Sequence, residues 1–133
     1  EAGSNNISFH VEAALNPAEL IALIKKAGCT VGIAINPETP VDKIVSLVSE
    51  VDRILVMSVH PGAVGQLFIP AVLNKVKFLR KMTTKDIEID GGITSANVKL
   101  AVDAGANIVV AASAIFGQKD RVKAITELRN KLT

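Results

Sequence analysis

The chemistry this chain can do gathers around one carboxylate. Asp90 closes the run Ile87-Glu88-Ile89-Asp90 and is followed by Gly91-Gly92-Ile93-Thr94-Ser95. An acid at a strand end can shuttle a proton or hold a divalent cation through oxygen. Two consecutive glycines let backbone N–H groups approach an anion, and a helix opening at Thr94 or Ser95 adds its positive end. The plainer uses of these residues are a loop-ordering carboxylate and an ordinary tight turn. Two more loops have a similar make-up. Ala112-Ser113-Ala114-Ile115-Phe116-Gly117 leaves room for a short second helix, and His60-Pro61-Gly62-Ala63-Val64-Gly65-Gln66 is long and glycine-bearing. Three such loops at neighbouring strand ends point to a phosphate site, with the longest suited to a lid or a further contact.

Other chemistry-bearing residues are less telling. His10 and Glu12 share the polar face of a strand, where a satisfied polar pair is the simpler reading. Met57 reads as core. Cys29 falls at a helix-to-strand turn and reads as structural. The pairs Lys25-Lys26 and Arg80-Lys81 read as solvated helix faces. No His/Cys cluster, GxSxG, P-loop or GxGxxG is present.

These residues need elements to place them. Short runs rich in Val and Ile at 7–12, 31–35, 53–59, 86–89 and 107–111 predict five strands. Helices are predicted between them. One runs over 18–26 with Pro17 in its first turn, one over 41–49 behind a Thr39 cap, and one over 71–82. A fourth covers 96–104, and the last covers 121–132 behind an Asp120 cap. The last carries Val122, Ile125, Leu128 and Leu132 as one apolar stripe. Strict alternation of this kind means a parallel sheet with right-handed crossovers.

Two architectures fit: a complete five-stranded, flavodoxin-like sheet, or part of a (β/α)8 barrel. The strands alternate oily and polar residues, as Ile7, Phe9 and Val11 do against Ser8, His10 and Glu12. A central doubly wound strand reads as continuously apolar, so the alternation favours a barrel with a polar lumen. The opening residues 1–6 look like a helix stop leading into a strand, as at 27–31 and 104–108. That predicts a longer array of which 1–133 forms one partial-barrel domain.

Composition narrows the classes. The chain has 133 residues, 49% apolar and 21% charged, with a formal charge of +2. That suffices for a core and argues against disorder. No basic run or aromatic platform supports nucleic-acid binding. No apolar stretch reaches the ~18 residues of a membrane span. A single cysteine excludes an internal disulfide framework and suits a reducing, cytoplasmic setting.

Six segments carry a closer likeness: Phe9-His10-Val11-Glu12-Ala13, Ala34-Ile35-Asn36-Pro37-Glu38-Thr39-Pro40, Met57-Ser58-Val59-His60-Pro61-Gly62, Gly65-Gln66-Leu67-Phe68-Ile69-Pro70, Ile87-Glu88-Ile89-Asp90-Gly91-Gly92-Ile93 and Ser113-Ala114-Ile115-Phe116. Over nearly its whole length the chain resembles the ribulose-phosphate 3-epimerase family. The resemblance implies a (β/α)8 barrel of which this chain holds about strands four to eight. It implies an isomerase in the intact protein, interconverting D-ribulose 5-phosphate and D-xylulose 5-phosphate. Two acids would transfer protons at C3 with the help of a divalent cation (zinc, iron, manganese or cobalt).

By the same resemblance Asp90 is both acid/base and metal ligand, and Met57 flanks the reacting carbons. Gly62, Ala63, Val64, Gly65, Gly91, Gly92, Ala112 and Ser113 fall on the substrate and phosphate loops. A small sugar phosphate is the expected partner and a homo-oligomer the expected assembly. The sequence departs from the family pattern at His60, where the family has Asn, at Ala63-Val64, and at Ala112, where the family has Gly. The family's other metal ligands and its second acid have no counterpart, so 1–133 alone is expected to be inactive. A hexulose-6-phosphate 3-epimerase and a non-catalytic phosphate-binding part-barrel are the alternatives.

Overall fold

A computed structural model describes residues 3–62 and 65–132. Five strands form one parallel sheet: β1 (Asn6–His10), β2 (Thr30–Ile35), β3 (Arg53–Met57), β4 (Asp86–Asp90) and β5 (Ile108–Val110). They lie side by side in chain order, β1-β2-β3-β4-β5. This order decides between the two expected architectures. A doubly wound sheet reverses its order part-way, whereas an unbroken order with right-handed crossovers puts every connection on one face. The helices α1 (Pro17–Lys26), α2 (Leu73–Met82) and α3 (Val98–Asp103) obey this. Ile21, Ile24, Val76, Leu79, Val98 and Ala101 share one core with Ile33, Ile35, Ile54, Val56, Ile87 and Ile89. The sheet is that of a barrel, and the flavodoxin-like alternative is set aside.

The register sets what stands on the other face. Gly32, Arg53 and Asp86 are aligned, then Ala34, Leu55, Glu88 and Ile108, then Met57, Asp90 and Val110. Side chains aligned across parallel strands point the same way, so these form levels like those inside a barrel. The lowest level is charged: Arg53 lies 3.8 Å from Asp86 beside it and reaches up to Glu88 of the middle level at 3.0 Å. The middle is mostly apolar. The highest holds the candidate acid.

Several expected elements change. Residues 41–49 do not form an α-helix but two 3-10 turns, Val41–Lys43 and Val45–Leu47. Val41, Ile44, Val45 and Val48 are β-branched and Ser46 competes for backbone hydrogen bonds, all unfavourable in a helix. Ile44 and Val48 are nevertheless buried, so the apolar pattern reports burial rather than a helix. Thr39 caps nothing; its hydroxyl donates to Glu12. β1 and β3 end two residues early, at His10 and Met57. The helix at 96–104 shortens to α3. A four-residue helix, α4 (Ser113–Phe116), follows β5. Asp120 does cap α5 (Arg121–Asn130), accepting from the Lys123 N–H at 2.9 Å. Its apolar stripe is mostly uncovered: Val122, Ile125 and Leu132 are exposed, Leu128 packs partly, and Ala124 is the buried contact.

Arg80 is not solvated. Its guanidinium donates to the carbonyls of Gly105, Thr83 and Lys85 and to Asn107 Oδ1. Lys85 gathers the carbonyls of Val48, Ser49 and Val51, closing the turns that replaced the helix. These carbonyls have no helical partner, so the ammonium supplies one. Lys85→Met is expected to cost about 2 kcal/mol in urea unfolding, while Lys81→Met on the exposed face of α2 costs close to nothing.

Candidate active site

A cleft of about 370 Å³ opens where β3, β4 and β5 end. Met57, Gly62, Gly65, Asp90, Gly91, Gly92, Ala112 and Ser113 all line it. Strands β3 to β5 therefore bring together every described residue that the sequence nominated. Ala63 and Val64 lie outside the described residues. His10 and Glu12 are elsewhere, 3.4 Å from one another, at the open end of β1. Ligands of parallel α/β sheets bind at this end of the strands.

Asp90 is half-buried beside Met57 and Val110. Burial pushes its carboxyl above the usual carboxylate range, because removing water disfavours the charged form. No lysine or arginine stands among the described lining residues. An anion here would rest on backbone N–H groups and helix ends rather than on side-chain cations.

The glycine pair has a packing reason of its own. Gly91 and Gly92 have φ of +124° and +62°, in the left-handed region. A Cβ on Gly91 would sit 2.5 Å from Val59 Cγ2, and one on Gly92 would sit 2.5 Å from the Phe68 nitrogen. The turn is pressed against the chain that follows β3. Asn97 ties off its far side, donating to the Gly92 carbonyl at 2.9 Å and accepting from the Thr94 N–H at 2.8 Å. Sequence reasoning missed Asn97, although an Asn three residues after Thr94 is a recognisable loop-closing signal.

A second missed group holds the neighbouring loop. Lys75 donates to the carbonyls of Asn36 (3.0 Å), Pro37 (2.6 Å) and Thr39 (2.6 Å). Burial lowers its pKa, with Glu38 and Glu12 acting the other way. Glu12 grips the same loop through the Asn36 N–H at 2.8 Å and the Thr39 hydroxyl. Burial alone would raise the Glu12 pKa; the hydrogen bonds to the carboxylate outweigh it and hold the group below its usual range. From this loop Glu38 reaches His60 Nδ1 at 2.7 Å, and both are well exposed.

The donors of a metal site do not assemble. Asp90 is the one carboxylate among the described residues lining the cleft, and the one histidine among them, His60, is engaged by Glu38. Among the described residues no three His, Cys, Asp or Glu side chains cluster to hold an ion. A divalent cation usually takes four or more donors, so this chain by itself does not fit one.

A parallel, chain-ordered sheet with helices on one face and a cleft at its strand ends defines an enzyme-type fold of the (β/α) barrel class. It matches 3-hexulose-6-phosphate synthase from Salmonella typhimurium with a TM-score of 0.73 at 23% identity, over 98% of this chain and 62% of that one. Sequence is more specific. The model of the ribulose-phosphate 3-epimerase family matches residues 1–116, and the chain belongs to that family. It is 43% identical to ribulose-phosphate 3-epimerase of Bacillus subtilis, over 97% of this chain and 62% of the relative. It is 42% identical to the Schizosaccharomyces pombe enzyme of the same name, over 99% and 58%. The chain thus spans about three fifths of the length of these relatives.

Gly92 and Gly28 separate conformation from packing. Gly28 also has a positive φ, +78°, but its Cβ would meet nothing within 4 Å. Gly28→Ala is expected to cost about 1 kcal/mol of strain. Gly92→Ala adds a backbone clash and is expected to cost at least about 2 kcal/mol more, read by urea unfolding of both variants.

Proposed function

We propose that this chain supplies one acid/base and the phosphate-binding loops of a ribulose-phosphate 3-epimerase. The reaction would interconvert D-ribulose 5-phosphate and D-xylulose 5-phosphate. The observation that carries the reading is Asp90, a half-buried carboxyl in one cleft with the 91–92 and 112–113 turns. The C3 proton of a 2-ketose is weakly acidic because the carbonyl at C2 accepts the electron pair. Asp90 as carboxylate takes that proton, leaving an enediolate, and as carboxylic acid returns one in the reverse direction. A carboxyl raised above its ordinary range is better matched to this exchange near neutral pH. Met57, beside Asp90 on the sheet, offers an apolar wall for the reacting carbons. Gly91, Gly92, Ala112 and Ser113, with Gly62 and Gly65, cradle the phosphate at the cleft's edge. Ala63 and Val64 are assigned to the same loop by family likeness.

Inversion at C3 needs a proton donor on the opposite face. Among the described residues lining the cleft there is no second carboxylate. The second acid, and the donors of any divalent cation, must come from outside residues 1–133. A sugar-phosphate substrate and a lone cysteine suit the cytoplasm. Among the described residues, no helix is long and apolar enough to cross a membrane. The uncovered apolar side chains of α5 suit assembly into a homo-oligomer.

Residues 1–133 alone are expected to give no epimerisation of D-ribulose 5-phosphate in a coupled assay, with or without added zinc. Full turnover by that polypeptide would refute the two-acid reading. In the intact protein Asp90→Asn is expected to lower kcat by at least about 10³-fold. The same change is expected to raise Tm by about 1 to 3 °C. The sign follows from the raised pKa. The folded state holds the Asp90 proton more tightly than the unfolded chain, so stability falls as pH rises through the interval up to the folded pKa. Asparagine removes the charge that causes this loss.

A further inference from the structure

Ser58 lies one residue beyond β3 and is completely buried, the only buried polar residue among those described. Four hydrogen bonds meet on it. Its N–H donates to the Asp90 carbonyl at 2.7 Å. Its hydroxyl reaches the carbonyls of Asp90 at 2.9 Å and Gly91 at 2.7 Å. Its own carbonyl accepts from the Ile69 N–H at 2.8 Å. The need for the hydroxyl follows from where β4 stops. Asp90 and Gly91 present two successive carbonyls to a water-free place, and a buried carbonyl must find a donor. The Ser58 N–H serves the Asp90 carbonyl, and only the hydroxyl can serve the Gly91 carbonyl from the same residue.

The same residue holds the other wall of the turn. Ile69 hangs from the Ser58 carbonyl, and just before it Phe68 and Gln66 bring their backbone against Gly92. Glycine in the left-handed region has no Cβ to resist rotation of its peptide planes. The two peptides flanking Gly91 are therefore fixed by what they bond, and freeing the second loosens the turn on which the Asp90 carboxyl stands.

We propose that Ser58 is a positioning residue for proton transfer, its hydroxyl fixing the Gly91–Gly92 peptide and so, together with its N–H on the Asp90 carbonyl, the turn that carries the Asp90 carboxyl, its carbonyl fixing residues 66–69 against that turn. It touches no reacting atom and acts through Asp90, so the inference rests on the acid/base reading of that residue. The test compares intact wild-type protein, Ser58→Ala and Ser58→Cys in steady-state epimerisation of D-ribulose 5-phosphate, resolving kcat from KM, with thermal unfolding of each.

Ser58→Ala is expected to lower kcat by about 10- to 100-fold while KM changes by less than about threefold. Cysteine, a weak donor of similar size, is expected to restore part of kcat. A merely structural serine would lower Tm and leave kcat of the folded variant at the wild-type value. A folded Ser58→Ala enzyme with wild-type kcat overturns the inference and leaves the Asp90 reading standing. If the alanine variant does not fold, Ser58→Cys decides: a reduced kcat at unchanged KM supports the role, and a wild-type kcat overturns it. Wild-type protein without epimerase activity would overturn the Asp90 reading, and this inference with it.

Discussion

The cleft is organised by the way two neighbouring strands end. Met57 and Asp90 are aligned at the last step of the β3–β4 ladder, and beyond it regular pairing stops while the backbone still needs partners. The chain solves this with a buried hydroxyl, a pair of left-handed glycines and an asparagine, not with more strand. The carboxyl of Asp90 is then the last side chain of a rigid ladder and the first of an irregular turn. A proton-transferring group gains from that place. Its backbone is fixed by the sheet while its carboxyl is only half removed from water, enough to raise its pKa without leaving it inert.

The loops of this rim are held mainly by polar side chains reaching backward. Lys75 and Glu12 bind residues 36–40 from opposite sides, one by its ammonium on carbonyls and the other by its carboxylate on donors. On the far rim Arg80 does the same for the turns before β4 and β5, and Lys85 for the turns before β3. Short strands of three to six residues leave few ladder bonds for each loop, so charged side chains complete the backbone pairing. A hydrogen bond from an ammonium to a carbonyl is stronger than a neutral one, and three on one nitrogen restrict a loop that carries little apolar weight.

Much of this was legible in the sequence. Alternation in 7–11 and 86–90 gave the face of each strand, since a period of two admits one assignment once one face is oily. Six segments that resemble one family, in one order, were a far stronger signal than any single glycine pair. Three things were not legible. The 41–49 segment has helical spacing but β-branched residues, and periodicity alone does not weigh one against the other. Arg80 reads as solvent-facing, and Lys75 stands out in no way, because a sequence shows charge and not reach; only folding brings the carbonyls of residues 36–39 and Gly105 to their tips. Ser58 was hidden because a serine after a strand is ordinary until the turn it serves is seen.

The gap between family likeness and this chain's own equipment is a chemical one. Removing a proton and returning it to the opposite face requires two groups on two sides of a flat intermediate, and a sheet of five strands offers one side. Asp90 stands on the inward face of β4, where a closed ring would place it opposite other strands. Here β1 and β5 are the two edge strands of the sheet. Beneath Asp90, Arg53 pairs with Asp86 on its own level and with Glu88 on the next, although its buried Nε has no hydrogen-bond partner among the described residues. The highest level holds an acid with no second carboxylate among the described residues of its cleft, raised in pKa and set beside glycine-bearing turns. That asymmetry, more than resemblance alone, is the physical reason to read these residues as one wall of an active site.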